Sequence, residues 1–200
     1  MTDETVVDRV TAHYPPADIT PDEFEGFVVG LLRSAEAEVD NLIVTSHEKI
    51  EVADGVYDFD ATVRYEFAGM EFLILVEAKR HKNPVKRELV AVLYQKVVSV
   101  GAHKGVMIST APYQSGAVKF AKSHGIALMT VTEGRFTFET KNASHGPSIS
   151  REEAVERFNL PVFVGHVYGI GENANSTNVT LLSEEYPRSV AELLLGVSED

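Results

Sequence analysis

Between Val56 and Phe67 the chain alternates strictly. Tyr57, Phe59, Ala61, Val63, Tyr65 and Phe67 are apolar, and Asp58, Asp60, Thr62, Arg64 and Glu66 between them are polar. A period of two over this length is the pattern of a strand with one buried face. Beyond Ala68-Gly69, Met70–Lys79 sets Phe72, Ile74, Val76 and Ala78 on one side and Glu71, Leu73, Leu75, Glu77 and Lys79 on the other. The two stretches read as a hairpin, and a symmetric turn at Ala68-Gly69 places Asp60 opposite Glu77. Directly opposed side chains have Cβ atoms about 4.5–5.5 Å apart, and like charges there destabilise a sheet. The pair is either a solvated face that carries acids or a site whose carboxylates share a cation, Lys79 or a metal. Leu73 and Leu75 on the same face count against simple solvation.

The flanking pattern predicts an α/β fold. Thr20, Pro21 and Glu23 form a helix start of capping-box type. Phe24, Phe27, Val28, Leu31 and Leu32 then make one apolar stripe, with Glu25 beside it. Val39–Val52 supplies a strand up to the Asp54-Gly55 turn. After Lys79, Asn83 and Pro84 are the cap and first residue of a helix with Val85, Leu89, Val92, Leu93, Val97 and Val100 on its apolar side, closed by Gly101. Gly105–Thr110 reads as a buried strand, Ser115–Ser123 as a helix and Ile126–Val131 as a further strand. The order from residue 20 is helix, three strands, helix, strand, helix, strand, which suits a mixed sheet flanked by helices. Weaker signals elsewhere suggest a short helix over Thr5–Tyr14 and an edge strand over Arg135–Thr140. A loop over Lys141–Pro147, a helix opened by Ser150, a strand over Pro161–Tyr168, a polar loop over Glu172–Thr177 and a final helix over Pro187–Leu195 complete the reading. The expected divisions are an N-terminal segment 1–19, a core domain 20–133, and a C-terminal extension or small subdomain 134–200.

Composition narrows the chemistry. The chain has no cysteine, which removes disulfides, thiolate metal sites and thiol nucleophiles. Its seven histidines show no zinc-binding spacing, Ser109 and Ser115 have no evident triad partners, and no phosphate-binding glycine loop of the GxxxxGK[ST] type occurs. Without a signal-like or membrane-spanning apolar run, a cytoplasmic protein with no membrane partner is expected. The net charge of −12 is unevenly spread, because residues 79–122 carry nine Lys and Arg against one acid. Lys86 and Arg87 fall where a helix macrodipole disfavours cations, a placement easier to understand if an anion binds there.

Asp60, then Glu77-Ala78-Lys79 at the end of the next strand, inside this element order, resembles the PD-(D/E)xK nuclease fold, and more narrowly its Mrr-like restriction endonuclease branch. The matching stretches are Pro21–Glu25 with Val28, Leu31 and Leu32; Phe59-Asp60 with Val63; Val76–Arg80; Gly101–Val106 with Ser109-Thr110; and Ser115–Ala117 with Ala121. The resemblance covers roughly residues 20–131. It implies a restriction-endonuclease-like core and metal-dependent hydrolysis of DNA phosphodiesters. Asp60, Glu77 and the Ala78 carbonyl would hold Mg²⁺, with Mn²⁺ as the alternative ion, since hard oxygens and retained waters suit it. Lys79 would orient the attacking water, and Glu25 matches an acid that related nucleases carry on their first helix. Gln95 matches a site-facing glutamine, although the aromatic some branches place four residues later is Ser99 here. Asp58, on the same face as Asp60, is its rival for the metal. Arg80, Lys82, Lys86, Arg87 and Lys104 are the expected DNA contacts, and double-strand cutting would call for a homodimer. A structure-selective nuclease of the Holliday-junction type and a non-catalytic nucleic-acid-binding or assembly module are the alternatives.

Overall fold

The computed structural model describes residues 17–136, 149–170 and 177–196. Helix α1 (Pro21–Ser34) opens with the full capping box: Thr20 accepts from the Glu23 N–H, and Glu23 accepts from the Thr20 N–H at 2.8 Å. A 3₁₀ turn (Ala35–Ala37) leads to strands β1 (Ile43–Val52), β2 (Gly55–Phe67) and β3 (Met70–Lys79). The β2–β3 turn has Ala68 and Gly69 both left-handed, at φ 52° and 75°. That geometry matches the right-handed twist of the flanking strands. There follow α2 (Arg87–Val100), β4 (Lys104–Ser109), α3 (Ser115–His124), β5 (Ile126–Glu133), α4 (Arg151–Phe158), β6 (Phe163–Ile170), β7 (Thr177–Leu182) and α5 (Pro187–Leu195).

The seven strands form one sheet in sequence order. β3, β4 and β5 are parallel, and the pairs outside them are antiparallel. Beyond residue 133, β6 and β7 continue the same sheet. Strand β7 has no clear sequence signal, because Asn178 and Thr180 dilute its apolar pattern. Helix α5 packs its Val190 and Leu194 into the same core as α1. Arg135 and Phe136 are helical; the rest of the expected strand Arg135–Thr140, the loop Lys141–Pro147 and the helix Thr5–Tyr14 lie outside the described residues. No helix among the described residues is long and apolar enough to cross a membrane.

Two apolar layers sandwich the sheet. One joins α1 and α5 to Val44, Ala61, Val63, Ile74, Val76, Val106 and Ile108. The other joins α2 and α3 to Phe59, Leu75 and Met107, with Ile50, Tyr57 and Leu73 packed against it. Phe59 and Ala61, two apart on β2, therefore face opposite layers, although uniform alternation predicts one face for both. Val44 and Ile50 on β1 divide the same way. The switch coincides with His47, which sits within β1 at φ 51°. A left-handed L-residue costs roughly 1–2 kcal/mol and rotates the strand beyond it. The β1–β2 ladder runs through Ser46–Ala61 and Glu48–Phe59 but steps over His47 and Asp60 between them. The far half of this hairpin thereby turns towards α2, where Phe59 is buried.

The start of α2 also differs from expectation. Neither Asn83 nor Pro84 opens it. Val85 instead bridges to Tyr113, and the helix begins at Arg87 with Lys86 as N-cap. This rotates the buried stripe to Val90, Leu93 and Val97, and leaves Val92 exposed.

Candidate active site

Pairing between β2 and β3 runs from Phe67–Met70 to Ala61–Val76 and stops there. The next step in that register is Asp60 with Glu77. The Asp60 side chain takes over the ladder: its Oδ2 accepts the Ala78 N–H at 2.7 Å, satisfying a backbone donor that the diverging strand leaves open. Glu77 and Lys79 lie two apart on β3 and so point the same way. The Lys79 Nζ donates to Glu77 Oε2 at 2.6 Å and lies 3.6 Å from Asp60 Oδ2. One ammonium thus serves both carboxylates, which is how the two acids coexist at the end of a hairpin.

A second cation completes the arrangement. Lys96 on α2 donates to Glu77 Oε1, lies 3.2 Å from the Asp58 carbonyl and stands 5.2 Å from the centre of the Phe59 ring. Glu77 is only 5% exposed. Burial opposes its charged form, but hydrogen bonds and charge from Lys79 and Lys96 outweigh that and hold its carboxyl below the ordinary range. Burial likewise works against the Lys79 ammonium, yet Glu77 and Asp60 raise it above its ordinary value. Lys79 is therefore a firmly protonated donor here.

The resemblance points to Gln95 on this helix, and the structure turns it away from Glu77. Gln95 is exposed and donates to Ser99 Oγ at 3.3 Å. Its neighbour Lys96 faces the site. A signal for it exists in the sequence: Leu89, Leu93, Lys96 and Val100 share one side of the helix at spacings of three and four. A lysine on an apolar stripe needs a buried counter-charge, and Glu77 supplies it. Asp58, the rival of Asp60, is exposed and pairs with Lys49 at 3.9 Å on the hairpin's outer surface. Glu25 on α1 lies 3.7 Å from His47 Nε2, both side chains being more than half exposed. His47 carried no sequence signal, since nothing in a run of strand-compatible residues announces a left-handed backbone.

Of the expected DNA contacts, Lys82, Lys86 and Arg87 are exposed around the start of α2, and the Arg87 guanidinium also lies 5.2 Å from the Phe120 ring centre. Lys86 makes no side-chain cap, and neither does Gln114 at the start of α3. The Val85–Tyr113 bridge sets these two helix starts side by side, with first-turn N–H groups lacking a side-chain acceptor. Arg80 donates from Nε to the Ile19 carbonyl at 2.7 Å, so part of its fork is spent inside the protein. Lys104 belongs elsewhere. Its Nζ donates to the Leu193 carbonyl at the end of α5, and burial lowers its pKa. It caps a helix C-terminus and does not share the surface of Lys82, Lys86 and Arg87.

A profile of the Mrr catalytic domain, described as a restriction endonuclease, matches residues 16–133. Among solved structures, the DNA modification-dependent restriction endonuclease AspBHI is 20% identical over 63% of this chain and 32% of its own, with a TM-score of 0.38. The MspJI restriction endonuclease, solved with a 27-mer oligonucleotide, is 15% identical over 63% of this chain and 28% of its own, with a TM-score of 0.40. AF1548, a protein of unknown function, is 17% identical over 50% of this chain and 56% of its own, with a TM-score of 0.38. The matched region thus spans a minor part of both endonucleases. A search of curated proteins gave no match.

Proposed function

Because this chain belongs to the restriction endonuclease family of the Mrr catalytic domain, we propose that it is a metal-dependent DNA endonuclease of the Mrr restriction type, with Asp60, Glu77 and Lys79 as its hydrolytic centre. The observation that carries this reading is the single Lys79 ammonium shared by two carboxylates where β2 and β3 part.

The donor set fits a hard divalent cation. Among the described residues no cluster of three or more His, Cys, Asp or Glu side chains is assembled. Two carboxylates are what Mg²⁺ requires, since it keeps most of its waters. Asp60 and Glu77 would hold it, with the Ala78 carbonyl as a third oxygen. When bound, Mg²⁺ or Mn²⁺ would supply Lewis-acid stabilisation of the charge that develops on the phosphoryl oxygens.

The chain's own groups account for the rest. Lys79, held protonated by Glu77 and Asp60, would donate a hydrogen bond and positive charge to the attacking water and to a phosphate oxygen. Asp60 is fixed by its bond to the Ala78 N–H, so it needs no reorganisation to present its remaining oxygen. Lys82, Lys86 and Arg87, with the uncapped starts of α2 and α3, would take the DNA backbone, where cations and helix N-termini both favour phosphate.

Methylated plasmid, unmethylated plasmid and a four-way junction, each incubated with Mg²⁺, test the reading. Cleavage of plasmid that is lost in Asp60→Ala and Lys79→Ala supports it. Cleavage confined to the junction would favour the structure-selective alternative, and cleavage that persists in both variants would place the chemistry elsewhere.

A further inference from the structure

Both oxygens of Glu77 are already taken, Oε2 by Lys79 and Oε1 by Lys96. With so little exposure, a metal approaching the carboxylate meets an ammonium at either oxygen. The two are not equivalent. Lys79 projects from the strand that carries Glu77 and is held from a second side by Asp60. Lys96 reaches in from α2 on a flexible four-carbon stem, and beside Glu77 it also meets the Asp58 carbonyl and the Phe59 ring face. An ammonium that gives up Glu77 can therefore keep a hydrogen bond and a ring quadrupole.

We propose that Lys96 is the resident counter-cation of Glu77 and competes with the catalytic metal for its Oε1, so that metal loading requires Lys96 to release Oε1 while keeping the Asp58 carbonyl and the Phe59 ring. The proposal rests on the metal-dependent reading given above. It has a consequence for charge. Asp60 and Glu77 are balanced by Lys79 and Lys96, so a divalent ion added to the free protein leaves the site positive. A DNA phosphate offsets that excess. Metal and DNA therefore bind with positive coupling, each raising the other's affinity. Lys96 thus acts as a positioning residue that keeps the free protein poorly loaded and couples loading to substrate.

Calorimetric titration of the intact chain with Mn²⁺, without DNA, tests this in the wild type, Lys96→Met, Lys96→Arg and Asp60→Ala. Removing one repelling charge beside a partly buried divalent site is expected to tighten Mn²⁺ binding by about tenfold or more in Lys96→Met. Lys96→Arg, which keeps the charge, should bind no more tightly than wild type. It therefore separates competition from repacking of α2. Melting curves without metal establish that each variant is folded. Unchanged or weaker Mn²⁺ binding in folded Lys96→Met would overturn the role of Lys96 while leaving the metal site standing. Binding absent from both wild type and Lys96→Met, or unaffected by Asp60→Ala, would overturn the proposal together with the metal site on which it rests.

Discussion

Replacing Glu77 by Gln keeps the size of the side chain and removes the charge that holds two ammoniums together. Catalytic residues are often a net cost to stability, so their removal commonly raises it. Here the opposite is expected. Removing one partner of a buried ion pair costs about 3–5 kcal/mol, because the other charge is left uncompensated. Lys79 and Lys96 retain side-chain exposures of 30% and 21%, so water recovers part of that loss. A Gln oxygen also still accepts one hydrogen bond. We expect Glu77→Gln to lose about 2–3 kcal/mol. With an m-value of about 2–3 kcal/mol/M in urea for a chain this size, the unfolding midpoint should fall by roughly 1 M at pH 7. Glu77→Gln/Lys96→Met should recover at least about 1 kcal/mol relative to additivity, because the second change removes one of the stranded charges. A midpoint for Glu77→Gln at or above wild type would refute the view that Glu77 is clamped by both lysines.

His166 is 2% exposed and bonded to Thr132, and burial lowers its pKa from 6.5 to about 4. The folded state therefore binds this proton less readily than the unfolded chain, so stability is full above about pH 6.5 and falls as the pH drops towards 4; urea melts should show about 2 kcal/mol lost by pH 5. His166→Gln should flatten that window. The lowered Glu77 carboxyl adds a loss of the same sign, which begins only as the pH falls through the ordinary carboxylate range and continues below it, so it adds at the acid end of the His166 window. Asp60→Asn keeps an acceptor for the Ala78 N–H, whereas Asp60→Ala leaves that donor unpaired and should melt earlier by an amount corresponding to about 1–3 kcal/mol. Ala68→Asn should stabilise the hairpin by about 1 kcal/mol in the same melts, since Asn tolerates the left-handed backbone better than Ala.

The sequence was most informative where side-chain pattern and backbone geometry agree. The β2–β3 register could be read from the turn and the alternation, because a one-residue slip would have exposed every apolar side chain. Thr20 and Ser150 announced their helices through side-chain caps that the structure retains. Legibility failed where a single backbone angle overrides the pattern. The left-handed His47 reverses the faces of β1 and β2 without any change in their alternation, so Phe59 was assigned to the wrong layer. It failed again where helix phase depends on a tertiary bridge. Val85 joins Tyr113, delaying α2 by three residues relative to Pro84 and bringing Lys96 to Glu77 in place of Gln95. Charge clustering located Lys82, Lys86 and Arg87 on one surface, but could not tell Lys104 apart from them, since its partner lies about ninety residues away at the end of α5.

In the proposed mechanism Asp60 is a ligand at a hydrolytic metal site and more than a cap on a backbone donor. Single-turnover cleavage of plasmid DNA in Mg²⁺, wild type against Asp60→Asn, separates the two roles, because the substitution keeps the cap and removes the charge. Asp60→Asn should melt close to wild type and cut on the order of a thousandfold more slowly, equivalent to about 4 kcal/mol of lost transition-state stabilisation. A well-folded Asp60→Asn that cuts within about tenfold of the wild-type rate would contradict the account.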